Sequence, residues 1–443
     1  MYNRNRNTKE NNSKKFVRKP VQKAESKSSV QKPVAKKTKA SFEDLKNQLS
    51  AWVSTEKIPG KVQAWFTDKA ETGFADWRIL KVVNGNSERF TIESPSSELE
   101  KPEVVSKVFE QLKKEHLKIF CKALRQIWFR GVGDNQFAVL IQANLKGRNS
   151  AHGYKTFVEY LERTAPEICS CHHVQCTPDY LFDPTASVNM KVEAKAAYGN
   201  DFMPIGESGS VMHVLDWSPR IRDVWQNLPQ RIESAIHPSA DDSFFEFYSG
   251  SSFVSSALSG RFQRVDSMDC RDYAMLSSRL NARNSINENV HFHRGHVEAS
   301  FFNKFFSKKE NEAKWTFYLN LPENESLAQG MEQAVAGARP ERILLQTASL
   351  DIAAKEIKKF RNEGYMLRKS IPLYLEPGSG KFELLMIFVP DRVGILGNNI
   401  SLKGRTHSVK RPQERVLGRG FAENKQEQPH FSKEVPSFKQ RKG

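Results

Sequence analysis

From Phe244 to Val389 the chain alternates short apolar runs with helical stretches, and this alternation restricts its fold more than any other feature. The runs are Phe244 to Tyr248 (FFEFY), Val265-Asp266, Val290 to Phe292 (VHF), Trp315 to Leu319 (WTFYL), Ile343 to Leu345, and a closing hairpin that ends in Leu384 to Val389 (LLMIFV). One helical stretch follows Ser252, another runs through Asn281, and a third spans Ile352 to Arg361. Strands alternating with helices predict a parallel, doubly wound α/β sheet. The last two strands, on either side of Pro377-Gly378-Ser379-Gly380, form an antiparallel addition at its edge. This domain is assigned to residues 229–393.

Residues 41–228 read differently. Ser41-Phe42-Glu43-Asp44 has the form of a capping box, with Phe42, Leu45, Leu49 and Trp52 following at helical spacing. Strands are predicted at Lys61 to Phe66 and Trp77 to Val83, and Pro102 opens a helix with Val105, Val108, Phe109 and Leu112 on one face. Leu124 to Arg130, the turn Gly131-Val132-Gly133-Asp134-Asn135 and Phe137 to Ala143 predict a hairpin. A helix around Tyr154 to Leu161 and a strand at Ile168 complete an α+β domain.

The formal net charge of +17 is carried by the two ends. Residues 1–40 hold 13 Lys and Arg against 2 Asp and Glu, and residues 402–443 hold 11 against 4, so residues 41–401 carry −1. In residues 1–40 and 394–443 apolar residues are too sparse to offset the entropy of ordering, and both segments are read as disordered basic tails. They suit either solvated tails that aid solubility or electrostatic arms for a phosphate backbone; the arms, for RNA, are the favoured reading, and charge alone does not separate RNA from DNA or anionic lipid. The middle is 361 residues long, and the chain has 29 Phe and 7 Trp, material for a sizeable core.

No stretch approaches 18 uninterrupted apolar residues, which excludes a spanning helix, and the N-terminus MYNRNRNTKENNSKK has no apolar signal region. Five cysteines in a chain of this length do not form a disulfide scaffold, so the expected setting is reduced and cytoplasmic. Cys169-x-Cys171-His172-His173-x-x-Cys176 reads as a half-buried strand rather than a zinc site, and His291, His293 and His296 read as surface positions, so no metal is expected. The run Phe301-Phe302-x-x-Phe305-Phe306 reads as core.

Glu246-Phe247-Tyr248-Ser249-Gly250-Ser251-Ser252 lies at a strand–turn–helix junction, where an open α/β sheet binds ligands beyond the carboxyl ends of its strands. Gly250 allows close backbone approach, and Asp266, read as the end of the next strand, could accept hydrogen bonds from a ribose diol. Beside this stretch stand Asn281-Ala282-Arg283-Asn284, Asn289-Val290-His291-Phe292, Arg342 to Leu350 (RILLQTASL) and Lys381-Phe382-Glu383. In order and spacing these segments resemble the motifs of the RNA uracil-5 methyltransferases, the family acting on tRNA and 23S rRNA, over Lys61 to Arg392. The resemblance implies a class I methyltransferase fold, S-adenosylmethionine as cofactor and a structured RNA as substrate. It places Glu246, Tyr248, Gly250, Asp266 and Asn320 at the cofactor and Glu383 in the position of the general base.

The departures from that family bear on function. Uracil C5 is a poor nucleophile, and the family activates it by adding a cysteine thiolate to C6. The position of that cysteine is Ala348. The D-P-P-R loop of the family reads Asn320-Leu321-Pro322-Glu323, the second glycine of its first motif is Ser252, and its Q-x-N segment corresponds to Asp216-Trp217-Ser218-Pro219-Arg220. Cys270, beyond Asp266, is on the wrong side of the expected pocket to substitute, and Cys121 reads as core. The expectation is an RNA-binding protein with a methyltransferase fold that cannot methylate uracil C5. The alternatives are methylation of an RNA atom that needs no thiolate adduct, and a structural partner of the ribosome or of another enzyme.

Overall fold

The computed structural model describes residues 40–391 apart from 68–73, 86, 176–179, 186–191, 206–208, 285–287, 307–312 and 324. Both predicted tails therefore lie outside the described residues, save for Ala40, as does Cys176. Sixteen strands are described: β1 (Lys61–Val62), β2 (Asp76–Asn84), β3 (Ser87–Glu93), β4 (Leu124–Gly133), β5 (Gln136–Ala143), β6 (Ile168–Gln175), β7 (Glu193–Tyr198), β8 (Phe202–Ile205), β9 (Ser210–His213), β10 (Asp242–Phe247), β11 (Arg264–Asp269), β12 (Val290–Arg294), β13 (Lys314–Asn320), β14 (Arg342–Thr347), β15 (Tyr365–Leu373) and β16 (Glu383–Pro390). Among the described residues no helix is long and apolar enough to cross a membrane.

The C-terminal sheet has the order β1-β15-β16-β14-β13-β10-β11-β12. The strands β10 to β14 pair in parallel, and β16 runs antiparallel between β14 and β15. From β10 the chain winds outward through β11 to β12, then returns to place β13 on the other side of β10. The order thus reverses between β10 and β13, the switch point at which an open α/β sheet forms a ligand crevice. Both faces are covered, as period-two alternation requires. Phe244, Val265, Tyr318 and Leu344 enter one core, while Phe245, Phe247, Phe317 and Ile343 enter the other. Phe301, Phe302, Phe305 and Phe306 pack into the second core, as the sequence implies.

The predicted closing hairpin is present, but it does not form the edge. Residues 42–66, assigned from sequence to the first domain, extend this sheet instead. β1 pairs in parallel with β15, Leu45 and Leu49 of the Phe42–Glu56 helix enter the second core, and Phe42 stacks on Tyr374 at 4.9 Å. The outer edge of β15 carries backbone donors and acceptors that need a partner, and β1 supplies one. The capping box is formed as predicted, with Ser41 and Asp44 each accepting from the other's backbone N–H.

The second sheet, β3-β2-β4-β5-β6-β7, is mixed, and the Arg148–Thr164 helix makes the crossover between parallel β5 and β6. The β4–β5 hairpin turns through Asp134 and Asn135, both at positive φ, as its twist demands. In β6 the register shifts near its start, so that Cys169 is exposed while Cys171 and His172 are fully buried. The segment 214–222 joins the two sheets at a fully buried ion cluster. Arg130 Nε lies 3.2 Å from Asp76 Oδ2, Arg222 Nη1 lies 2.7 Å from Asp76 Oδ1, and Arg130 also donates to the carbonyls of Val214 and Asp216.

Candidate functional site

At the carboxyl ends of β10, β11, β13 and β14 lies an open cleft of about 390 Å³. Tyr248, Asp269, Arg271 and Asn320 line it, together with Trp217, Arg220, Ala348 and Glu383. Trp217 and Arg220 reach it from the segment held by the Asp76 cluster.

The turn after β10 is tightly wound. Tyr248, Gly250 and Ser252 all have φ between 56° and 57°, the left-handed region that glycine adopts freely and serine does not. At Ser252, where the family motif has its second glycine, a buried hydroxyl network opposes that cost. Its Oγ lies 2.8 Å from Ser267 Oγ and 2.7 Å from Ser278 Oγ, which ties the turn to β11 and to the Asp272–Asn284 helix. Gly250 donates its N–H to Asp269 Oδ2 at 2.9 Å.

Two residues assigned to the cofactor stand elsewhere. Asp266 is in the middle of β11, fully buried, bound by Arg264 Nε at 2.6 Å and next to His293 Nε2 at 2.7 Å. Burial works against its charge, but His293 and Arg264 outweigh burial and hold the carboxyl below its ordinary range. His293 is accordingly half-buried and paired, whereas His291 and His296 are exposed as expected. The strand runs three residues further than its apolar pattern suggests, and the carboxylate at its tip, in the cleft, is Asp269. Glu246 also points away from the cleft. Its Oε2 accepts from the backbone N–H of Ser255 at 2.9 Å and from its hydroxyl at 2.5 Å, capping the Phe253–Leu258 helix.

Ala348 and Glu383 do come together. Thr347 pairs with Leu384 across β14 and β16, and the two residues lie one step beyond that pair. Gln346 Nε2 donates to Glu383 Oε2 at 2.5 Å, and Tyr318 donates its hydroxyl proton to Gln346 Oε1 at 2.7 Å. Gln346 has no signature of its own in the sequence, because a buried strand glutamine carries no motif. Cys270 also lines the cleft, but at the tip of β11, three strands from β14. That is about 14 Å at the usual inter-strand spacing, so its thiol stands well away from Ala348.

Burial raises the Glu383 carboxyl to about 7, with Gln346 opposing the rise and the carboxylates of Glu376 and Glu323 adding to it. Burial likewise raises Glu246 to about 7, against the hydrogen bonds from Ser255. A carboxyl raised on folding binds its proton more tightly in the native state. Its contribution is complete below the unfolded value near 4.5 and is lost as pH rises through about 7. Denaturant unfolding from pH 4.5 to 8 should therefore show Glu246→Gln gaining on the wild type with rising pH, by about 3 kcal/mol in all. The amide oxygen keeps the cap while removing the titration, and equal pH slopes for the two proteins would contradict this account.

No family model matches the sequence. It is 26% identical over 148 residues to the uncharacterized RNA methyltransferase YljE of Lactococcus lactis subsp. lactis, a match covering 33% of this chain and 31% of that protein. The chain thus matches about a third of the length of this curated relative. Among solved structures, the tRNA (uracil-54, C5)-methyltransferase of Pyrococcus abyssi, in complex with S-adenosyl-L-homocysteine, superposes with a TM-score of 0.54. The identity is 12%, and the match covers 78% of this chain and 82% of that one, so the likeness is one of fold. The sheet order and the placement of the cleft define a class I methyltransferase fold. Its likeness in sequence is to the RNA methyltransferases.

Proposed function

We propose that the chain binds structured RNA and S-adenosylmethionine and does not methylate uracil at C5. The observation that carries this reading is Ala348 in the cleft beside Glu383, with the nearest cleft thiol among the described residues three strands away. Without a soft nucleophile for C6, C5 gains no enolate character and cannot attack a methyl donor. The basic segments 1–40 and 402–443 supply affinity for phosphate, and the folded part supplies recognition of RNA shape.

The residues present fit the cofactor in kind. Gly250 offers close backbone approach, Asp269 a carboxylate at the strand tip, and Asn320 a side-chain amide across the switch point. S-adenosylmethionine held there supplies a methyl group that is electrophilic at carbon. The open cleft and the near-neutral Glu383 favour a second reading, methylation of a ring nitrogen or a ribose hydroxyl. Glu383, oriented by Gln346, takes the proton that such an N–H or O–H gives up.

Labelled methyl transfer from S-adenosylmethionine to bulk RNA, followed by nucleoside analysis, separates these readings. The expected result contains no 5-methyluridine, and 5-fluorouridine RNA forms no covalent adduct with the protein. A labelled purine or 2′-O-methyl nucleoside establishes the second reading. Detection of 5-methyluridine overturns the proposal.

A further inference from the structure

A carboxylate has about four lone-pair positions for hydrogen bonds. In Asp269 all four are taken from within the protein. Oδ1 accepts the backbone N–H of Arg271 at 2.9 Å and its Nε–H at 3.0 Å. Oδ2 accepts the backbone N–H of Gly250 at 2.9 Å and the Nη2–H of Arg271 at 2.9 Å. A ribose diol donates two hydrogen bonds, and as the site stands Asp269 has no position left for either.

We infer that Arg271 is a built-in occupant of the nucleoside site, holding the two positions on Asp269 that a ribose diol would take. The inference rests on the cofactor reading proposed above. Two of the four donors belong to the backbone, so they persist whatever the side chain does. The other two belong to the guanidinium, and their number equals the number of hydroxyls in the diol. The same guanidinium lies 3.3 Å from where a side-chain carbon on Gly250 would stand, so it also covers the one position where the turn lets a ligand approach closely. It is 22% exposed and lines the cleft, so a ligand entering the cleft meets it directly.

Arg271 also reaches the segment that carries Trp217. Its Nη1 lies 3.8 Å from Asp216 Oδ1, the oxygen that accepts the backbone N–H of Trp217 at 2.8 Å. Trp217 lines the cleft near Arg220. A nucleoside that displaces the guanidinium from Asp269 therefore also loosens its hold on the segment that carries Trp217. Occupancy at the tip of β11 is thereby coupled to the segment that carries Trp217.

The test is calorimetric binding of S-adenosylhomocysteine and of adenosine to the full-length chain. The proteins are the wild type, Arg271→Ala, Arg271→Lys and the double variant Arg271→Ala/Asp269→Asn, each checked for a cooperative unfolding transition. Arg271→Ala removes both guanidinium donors and keeps both backbone donors. It is expected to bind both ligands at least about tenfold more tightly than the wild type. Arg271→Lys, which cannot donate in bidentate fashion, is expected to lie between them, and the double variant to lose the gain. Equal or weaker binding by folded Arg271→Ala, with the wild type still binding, overturns the occupant role and leaves the cofactor reading standing. Absence of binding by every folded variant overturns the cofactor reading and the occupant role with it.

Discussion

Removal of residues 1–40 and 402–443 is expected to weaken binding of a structured RNA by about a hundredfold or more near 0.15 M salt, and to flatten its salt dependence. The two segments hold 24 Lys and Arg, and the remainder of the chain carries −1. Each cation that neutralises a phosphate releases a counterion, so affinity falls steeply with salt in proportion to the number of such contacts. Six to ten contacts correspond to a loss of about 10³- to 10⁵-fold between 50 and 200 mM salt. A near-neutral remainder keeps only what shape and hydrogen bonding provide. Filter binding of full-length and trimmed chains across that salt range measures both effects. Equal affinities and equal slopes would show that phosphate contacts come from the folded part instead.

Asp76→Ala is expected to destabilise the fold by about 3–5 kcal/mol, the range for breaking a buried ion pair by removing one partner. Asp76, Arg130 and Arg222 are all at most 1% exposed. The substitution leaves two guanidiniums buried without their shared carboxylate, at 3.2 Å and 2.7 Å in the intact protein. Arg130 keeps the carbonyls of Val214 and Asp216 and Arg222 keeps that of Gly131, but none of these offsets a full charge. Urea unfolding measures the loss, and a change below about 1 kcal/mol would show that water or a shifted side chain compensates the charge. The same cluster anchors the segment that carries Trp217 and Arg220 into the cleft. Asp76→Asn, which keeps an acceptor and removes the charge, should separate loss of stability from loss of cleft geometry.

The site was legible where the chemistry sits in a local motif. The turn 246–252 stands out because glycine and serine follow an apolar run, and Glu383 because it precedes the last apolar strand. Ala348 was found by its place in a motif, and the structure sets it beside Glu383. Asp266 shows where such reading stops. Asp266 and Asp269 both follow apolar residues within six positions, and which of them reaches the tip depends on where β11 stops pairing with β10 and β12. Pairing is a property of the neighbouring strands, not of the residues themselves. Glu246 shows the same limit from the other side. It stands at the head of the motif, yet the packing of the Phe253–Leu258 helix turns its carboxylate into a cap.

Residue type and order alone carry the alternation that folds into a doubly wound sheet, the segregation of positive charge to the two ends, and an alanine at position 348. These are local or summed properties, written in residue type and spacing. Long-range packing is what makes residues 42–66 complete the C-terminal sheet, turns Asp269 rather than Asp266 to the cleft, and lets Arg271 and Gly250 fill its hydrogen-bonding positions. Each of those depends on which groups far apart in the chain, or at the end of a strand, compete for the same backbone edge or the same lone pair, and that competition is settled by packing.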